Sequence, residues 1–255
     1  MTPCTLNGHI DATGLRSVIA YMIAAGCNGI FVLGSTGRGP WFSLRDRALV
    51  CSVARDSCGR RPLYGGCMAT GLDDMVESAA AMKDAGADCV VVTSPGYFDY
   101  GQEEIMRILL DFADRSPLPV LVYDIPGFAR VKLDASVIQR LSGHGNIAGV
   151  KDATADMKGF RSLLGLLAKL PHFLVFQGKE QLLADSLRAG ASGFVVSLVH
   201  LDPLPFVALR RAVALGREEE ANKLQLAITA VLRSVEECIN SRHTTSTLFH
   251  ILNQA

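Results

Sequence analysis

The sequence has no excess of either charge and no long apolar run. Its 25 Lys and Arg residues balance 25 Asp and Glu residues, so the formal net charge at pH 7 is zero. Without a basic region, the chain has no electrostatic basis for binding nucleic acid or an anionic membrane surface. No apolar run reaches the ~18 residues that a membrane-spanning helix needs. We therefore expect neither a nucleic acid nor a membrane as a partner.

The cysteines and histidines lack the spacing of a metal or redox site. No two of the seven cysteines stand in a C-x-x-C arrangement, and the six histidines form no set with Cys or Asp. We expect no bound metal, and we expect reduced thiols that are mostly buried. Residues 1–5 also lack the basic and apolar stretches of a signal peptide. These features predict a cytoplasmic protein.

Short apolar runs alternate with longer amphipathic segments along the chain. Seven runs rich in Val, Ile, Leu and Phe are typical of parallel strands that are covered on both faces. The predicted strands are residues 29–33, 62–66, 88–93, 119–123, 147–150, 173–176 and 193–196. The predicted helices are residues 15–25, 43–57, 73–85, 103–114, 134–141, 157–170, 179–189 and 203–215. This alternation indicates an α/β fold.

Two α/β architectures fit this alternation, a TIM barrel and a doubly wound sheet. The first clear strand is not followed by G-x-G-x-x-G, so the dinucleotide-binding variant of the doubly wound sheet loses its main support. We therefore predict a (β/α)8 TIM barrel over residues 1–216. Its eighth strand can come only from residues 2–6, so the first strand is expected to be short or incomplete. Residues 217–255 are predicted to be C-terminal helices, over 218–234 and 236–252, packed on the barrel as one structural unit.

Chemistry in such folds takes place at the carboxyl ends of the strands. Lys151 ends the apolar run Ile147-Ala148-Gly149-Val150. A lysine amine attacks a ketone only in its neutral form, which apolar walls favour because burial penalises charge. The alternative is a lysine that reaches out from the strand end to pair with Asp152 or Asp156.

Two further strand ends carry polar groups suited to catalysis. Tyr123 closes the predicted fourth strand, where a phenol can move a proton to and from a substrate oxygen, or can simply fill the top of the barrel. The turn Gly34-Ser35-Thr36-Gly37 follows the first strand, and its N–H groups and hydroxyls suit a carboxylate or phosphate. On its own this turn is also typical of many strand-to-helix connections.

Taken together, these motifs resemble the dihydrodipicolinate synthase and N-acetylneuraminate lyase superfamily of class I aldolases. The turn Gly34-Ser35-Thr36-Gly37 resembles its G-[ST]-T-G, Tyr123-Asp124-Ile125-Pro126 its Tyr-Asn-x-Pro, and Gly149-Val150-Lys151-Asp152 its G-x-K-D. Ala189-Gly190-Ala191-Ser192-Gly193 is similar to the A-G-x-x-G before its last strand, and Thr2-Pro3 to the end of its first strand. The motifs occur in the family's order from Thr2 to about Pro203.

The resemblance implies a role for each of these residues. Lys151 forms an imine with pyruvate or a related 2-keto acid, Tyr123 is the acid and base, and Ser35 belongs to its proton relay. The substrate carboxylate and pocket wall are assigned to Thr36, Gly34, Gly37, Gly178 and Val195. Tyr97 matches a tyrosine that reaches into a neighbouring subunit, which implies a homodimer or homotetramer. The protonated imine is itself the electron sink, so no cofactor is expected.

Four departures from the family pattern bear on the substrate. Arg38 and the following Gly39-Pro40 resemble archaeal 2-keto-3-deoxygluconate aldolases, and Phe128 stands where members that make dihydrodipicolinate carry an arginine, with Arg130 out of register. Asp124 replaces the motif's asparagine, and Gly96 replaces the first tyrosine of a pair. We expect an aldolase or lyase for a 2-keto-3-deoxy acid. The alternatives are a dihydrodipicolinate synthase-like condensation, a keto-acid dehydratase, or an inactive binding relative.

Overall fold

A computed structural model describes residues 1–238 and has seven short parallel strands at its centre. The strands are β1 Ile30–Val32, β2 Leu63–Gly66, β3 Cys89–Val92, β4 Val120–Asp124, β5 Ile147–Asp152, β6 Leu174–Gln177 and β7 Gly193–Phe194. Each pairs with the next along the chain, in the order β1 to β7. All seven predicted strands are confirmed, with ends that differ by at most two residues.

Ten α-helices surround or extend this sheet among residues 1–238. They are α1 Ala12–Ala24, α2 Leu44–Cys58, α3 Leu72–Asp84, α4 Gln102–Arg115, α5 Pro126–Ala129, α6 Ala135–Leu141, α7 Met157–Leu167, α8 Leu183–Arg188, α9 Leu204–Ala214 and α10 Glu218–Cys238. Short 3-10 turns occupy Gly39–Trp41, Glu180–Leu182 and Leu198–His200. The one-turn helix α5 was not predicted. None of these helices is long and apolar enough to cross a membrane.

Ring contacts between strands that are not neighbours show that the sheet curls into a barrel. Phe31 on β1 meets Tyr123 on β4 with ring centroids 6.4 Å apart, and Tyr64 on β2 meets Phe176 on β6 at 6.3 Å. Strands β1 and β4 can touch only if the sheet wraps around their inward side chains. The sequential strand order and this curvature establish a TIM-barrel-like fold and exclude the doubly wound alternative.

The strands bury two separate apolar layers. On β3, Val91 belongs to the layer inside the barrel, whereas Val90 and Val92 belong to the layer between strands and helices. The same alternation on β4 turns Leu121 and Tyr123 inward. Because successive strand residues face opposite sides, both layers are apolar and the strands read as continuous hydrophobic runs.

The first strand, expected over residues 2–6 to be short or incomplete, does not form. This segment makes one isolated antiparallel bridge, between Cys4 and Ile10, and no strand. The early turn at residues 6–8 folds the chain back on itself, so the segment is too short to run alongside β1. Thr2 instead donates a hydrogen bond to the Gly37 carbonyl at 2.8 Å, which anchors the N-terminal segment beside the turn after β1.

Helix α10 packs on the last helices of the barrel. Its residues Ile228, Leu232 and Val235 share an apolar cluster with Leu183 on α8 and Phe206 on α9. The helix runs without a break to residue 238, so the predicted interruption between residues 234 and 236 is wrong. The rest of the predicted last helix lies outside the described residues. The shared core supports the proposed single unit of a barrel over residues 1–216 and an extension from residue 217.

Candidate active site

Lys151 lies inside the barrel at the carboxyl end of β5. Its side chain is buried, and its Nζ is 4.0 Å from the ring centre of Tyr123 and 5.2 Å from that of Phe31. Tyr123 and Lys151 are direct partners in the pairing of β4 with β5, which places both side chains on the inner face. The amine therefore sits among aromatic rings beside a phenol, where it can attack a substrate held inside the barrel.

The acidic residues after β5 are engaged elsewhere. Asp156 pairs with Lys132 at 2.8 Å, and it also caps the N-terminus of α7 through the Gly159 N–H. The carboxylate of Asp152 accepts hydrogen bonds from the N–H and hydroxyl of Thr154, each at 2.8 Å. These contacts disfavour the alternative in which Lys151 leaves the barrel to pair with one of them.

The turn after β1 is compact because its backbone crosses other segments closely. Leu33 adopts a left-handed conformation with φ of 61°. A Cβ on Gly39 would lie 1.9 Å from the Leu33 carbonyl oxygen, and one on Gly66 would lie 2.1 Å from the same atom. Neither position tolerates a side chain, so Gly39, which resembles part of an aldolase motif, has a steric reason to be glycine. This packing fixes where Gly34, Ser35, Thr36 and Gly37 stand.

Thr36 joins this turn to the other end of the sheet. Its Oγ1 lies 2.6 Å from the Oγ of Ser197, just after β7. Buried Glu180 accepts hydrogen bonds from the backbone N–H groups of Ser197 at 2.8 Å and Leu198 at 3.2 Å. Sequence reasoning missed Glu180, because a carboxylate at the start of the predicted helix over residues 179–189 gives no sign of these partners. Ser35 is half-buried in the same turn, next to Thr36.

Gly178 comes close to the side chain of Lys151. A Cβ on Gly178 would lie 3.1 Å from Cε of Lys151 and 2.9 Å from the Asp152 carbonyl oxygen. Its N–H donates to that carbonyl at 2.7 Å, which continues the pairing of β5 with β6. Val195 similarly donates its N–H to the Gln177 carbonyl at 2.9 Å. Both predicted lining residues thus lie at the end of the sheet that carries Lys151.

The loop after β3 points outward. Tyr97 is 71% exposed and packs on Phe98 with ring centroids 4.9 Å apart, so it does not share the buried environment of Lys151. A Cβ on Gly96 would be 2.8 Å from the Phe128 carbonyl oxygen, which explains why the tyrosine of the family pattern is absent. Phe128 is 53% exposed, and Arg130 pairs with Asp99 at 3.1 Å.

Two buried carboxyl groups flank the site on the outer side of the sheet. The pKa of Asp124 is raised to about 7. Burial is the main cause and the nearby Asp152 adds to it, whereas the Leu133 N–H and Lys132 lower the pKa. Burial likewise raises the pKa of Asp152, against the hydrogen bonds from Thr154. Within residues 1–238, no group of three or more His, Cys, Asp or Glu side chains is arranged to hold a metal ion.

The chain belongs to the dihydrodipicolinate synthetase family, whose model matches residues 1–247. It is 29% identical to the 4-hydroxy-tetrahydrodipicolinate synthase of Methanospirillum hungatei over 89% of this chain and 78% of that protein. It is 31% identical to the 2-dehydro-3-deoxy-D-gluconate/2-dehydro-3-deoxy-phosphogluconate aldolase of Picrophilus torridus over 76% and 72%.

Its fold also matches that of a solved family member. The crystal structure of YagE, a prophage protein of the dihydrodipicolinic acid synthase family from E. coli K12 in complex with pyruvate, superposes with a TM-score of 0.88. The two chains are 26% identical, and the match covers 92% of this chain and 80% of YagE. The predicted family resemblance is confirmed.

Proposed function

We propose that this protein is a class I aldolase or lyase whose Lys151 forms an imine with pyruvate or with the keto group of a 2-keto-3-deoxy acid. The observation that carries the proposal is the position of the Lys151 amine, buried inside the barrel and 4.0 Å from the ring of Tyr123. Membership of the dihydrodipicolinate synthetase family supports the same chemistry.

Lys151 and Tyr123 have separate roles in the proposed reaction. The amine attacks the keto carbon, and Tyr123 donates the proton with which the carbinolamine hydroxyl leaves as water. The Tyr123 phenolate left by that step takes the proton of the hydroxyl on the fourth carbon. The electron pair of the bond between the third and fourth carbons then moves to the protonated imine, which releases an aldehyde and leaves an enamine. Protonation and hydrolysis of the enamine free pyruvate and the amine. The reverse sequence joins the two fragments.

The turn after β1 is suited to hold the substrate carboxylate. Backbone N–H groups at Gly34 and Gly37 and the hydroxyl of Thr36 offer neutral donors, so no cation competes with the imine for the carboxylate. Ser35 is the proposed next member of the proton relay from Tyr123. Gly178 and Val195 line the pocket through their backbones, and Gly178 leaves room for the Lys151 side chain.

The substrate class we favour is a 2-keto-3-deoxy acid cleaved to pyruvate and an aldehyde. Gly39 and Pro40 continue the first turn as in the resembled aldolases, and a relative named for a 2-dehydro-3-deoxy acid is 31% identical. Phe128 offers no charge to an aldehyde carboxylate, and Arg130 is paired with Asp99. The second candidate is a synthase-like condensation, favoured by the 29% identical 4-hydroxy-tetrahydrodipicolinate synthase.

We also propose that the protein is a cytoplasmic homodimer or homotetramer. Tyr97, Phe98 and Phe128 present exposed rings, and a Cβ on Gly96, just before Tyr97, would lie 2.8 Å from the Phe128 carbonyl oxygen. Exposed aromatic side chains that cluster at one surface are typical of protein interfaces. Cys51, Cys58, Cys67 and Cys89 are buried free thiols, which suits a reducing compartment.

One experiment tests the imine. The protein is incubated with pyruvate, reduced with borohydride and digested, and the modified peptide is identified by mass spectrometry. We expect a reduced pyruvate adduct on Lys151 and none in Lys151→Ala, with Lys158→Ala on α7 as the matched control. Absence of the adduct supports the binding relative instead. When the adduct forms, a screen of keto-deoxy acids and aldehydes separates the aldolase from the condensation.

A further inference from the structure

Asp124 and Asp152 form a buried acid pair directly beside the proposed catalytic pair. The register of β4 with β5 places Asp124 opposite Asp152, one position beyond Tyr123 and Lys151. Neighbouring strands lie about 4.8 Å apart, so the two carboxyl groups are close neighbours on the same face of the sheet. Both side chains are at least 95% buried, since Asp124 is 2% and Asp152 is 5% exposed.

The surroundings of the pair provide few donors and one distant cation. Asp124 accepts a hydrogen bond from the Leu133 N–H at 3.2 Å, and Asp152 accepts its two from Thr154. Lys132 is the cation that acts on both, but it is exposed and bound to Asp156.

The strand residues in register beside the pair carry no charge, with Gln177 opposite Asp152 on the β6 side, whereas the carboxylate of Asp156 acts on Asp152 and raises its pKa. On the β3 side, the residues that follow Val92 are Thr93 and Ser94, neither of which is charged. Two like charges this close in a buried site are unfavourable, so one carboxyl group keeps a proton. Burial is the main cause that raises the pKa of both carboxyl groups, that of Asp124 to about 7, which agrees with a proton held within the pair below neutral pH.

The acid pair is connected to Lys151 through the backbone. The Asp152 carbonyl accepts the Gly178 N–H, and a Cβ added to Gly178 would lie 3.1 Å from Cε of Lys151. The Asp124 carbonyl accepts the Ala153 N–H at 2.8 Å, which ties the ends of β4 and β5 together. Asp152 directly follows Lys151 and its side chain faces the opposite side of the sheet, so a charge on the pair acts on the amine across one strand.

We propose that Asp124 is a positioning residue for the imine reaction: it and Asp152 hold one proton between them, and loss of that proton as the pH rises slows attack by the Lys151 amine. This inference rests on the proposed imine at Lys151. Release of the proton adds a second negative charge behind the site, and that charge disfavours the neutral amine that attacks the keto group. The family motif has asparagine at this position, and asparagine does not ionise. The proposed response to pH therefore requires the aspartate.

The first test compares the wild-type protein with Asp124→Asn, which keeps an oxygen to accept the Leu133 N–H. The rate of borohydride-trapped adduct formation with pyruvate is measured from about pH 5.5 to about pH 8.5. We expect equal rates at the acid end and a rate roughly threefold to thirtyfold higher in Asp124→Asn at the alkaline end. Asp99→Asn, an exposed carboxylate, is the control and should follow the wild-type profile. A constant ratio of rates at all pH values overturns the proposal.

A second test needs no substrate. The infrared carbonyl band of a protonated carboxyl group is followed in the wild-type protein as the pH is raised. We expect the band at pH 6 and its loss around pH 7, and we expect it to be missing from Asp124→Asn. Lack of the band at pH 6 in the wild type overturns the shared proton. The protein could show the expected infrared titration and yet form no adduct with pyruvate. That result overturns the proposed function and the role of Asp124 in imine formation, but not the shared proton.

Discussion

The hydroxyl oxygens of Thr36 and Ser197 lie 2.6 Å apart, and their contact joins the turn after β1 to the turn after β7. These strands are the two ends of the described sheet. Since residues 2–6 form no strand between them, side chains at the mouth, rather than backbone pairing, bring the ends together. The same contact orients the Thr36 hydroxyl that we propose for the substrate carboxylate.

Replacement of Ser197 by alanine tests this connection. The variant loses the partner of Thr36, so we expect KM for pyruvate or the keto acid to rise roughly threefold to tenfold with a smaller change in kcat. Stability should fall by about 1 kcal/mol, the usual net value of one hydrogen bond. Steady-state kinetics and urea unfolding measure both. Ser17→Ala, at an exposed serine of α1, is the control, and an identical KM in both variants contradicts the assignment.

Tyr123→Phe separates the phenol from the ring. The ring that packs 4.0 Å from Nζ of Lys151 remains, so the fold and the trapped adduct should persist. Loss of the proton donor should lower kcat by roughly 10²-fold to 10⁴-fold, the usual range for general acid–base catalysis. Tyr64→Phe removes a hydroxyl from another tyrosine inside the barrel and should leave kcat nearly unchanged. Equal kcat values for the two variants would show that the Tyr123 hydroxyl takes no part.

Most of the fold could be predicted from the sequence because its strands are buried on both faces. Val90, Val91 and Val92 read as one apolar run, and the strand they predict is the strand that forms. Lys151 could be identified for the same reason, since a charged residue that ends such a run is unusual. The absence of a strand over residues 2–6 could not be predicted, because the hydrophobic pattern of these residues does not reveal the turn that follows.

Contacts between segments that are far apart in the chain could not be predicted from the sequence. Glu180 reads as an ordinary helix-start acid, yet it is buried and binds two N–H groups after β7. The need for glycine at Gly39 and Gly66 depends on the path of Leu33, which no local pattern specifies. In the sequence, Gly96 could be recognised only as a departure from the family motif. The structure shows that a Cβ at this position would lie too close to the Phe128 carbonyl oxygen on α5.

Gly178→Ala tests how tightly the site is packed around the lysine. The added methyl group would lie 3.1 Å from Cε of Lys151 and 2.9 Å from both the Asp152 carbonyl oxygen and Cβ of Ala153. We expect overpacking to cost about 1–3 kcal/mol of stability and adduct formation to slow at least tenfold. Gly165→Ala on α7 meets no atom within 4 Å and should stabilise the protein by about 0.5–1 kcal/mol. An adduct rate in Gly178→Ala equal to that of the Gly165 variant would rule out this contact.

Asp124→Asn should also change how stability depends on pH. The pKa of Asp124 is raised to about 7 in the folded state from an ordinary value of 3.8. Between these values the folded protein holds a proton that the unfolded chain has lost, so stability falls as pH rises from about 4 to about 7 and changes little above.

Each pKa unit corresponds to about 1.4 kcal/mol, and the full difference therefore reaches about 4 kcal/mol as an upper limit. Asparagine removes this loss. We expect Asp124→Asn to gain about 2 kcal/mol more over the wild type at pH 8 than at pH 5 in urea unfolding. Asp99→Asn, at an exposed position, should show no such difference between the two pH values. Parallel pH profiles for wild type and Asp124→Asn would mean that Asp124 is already ionised at acid pH in the folded protein.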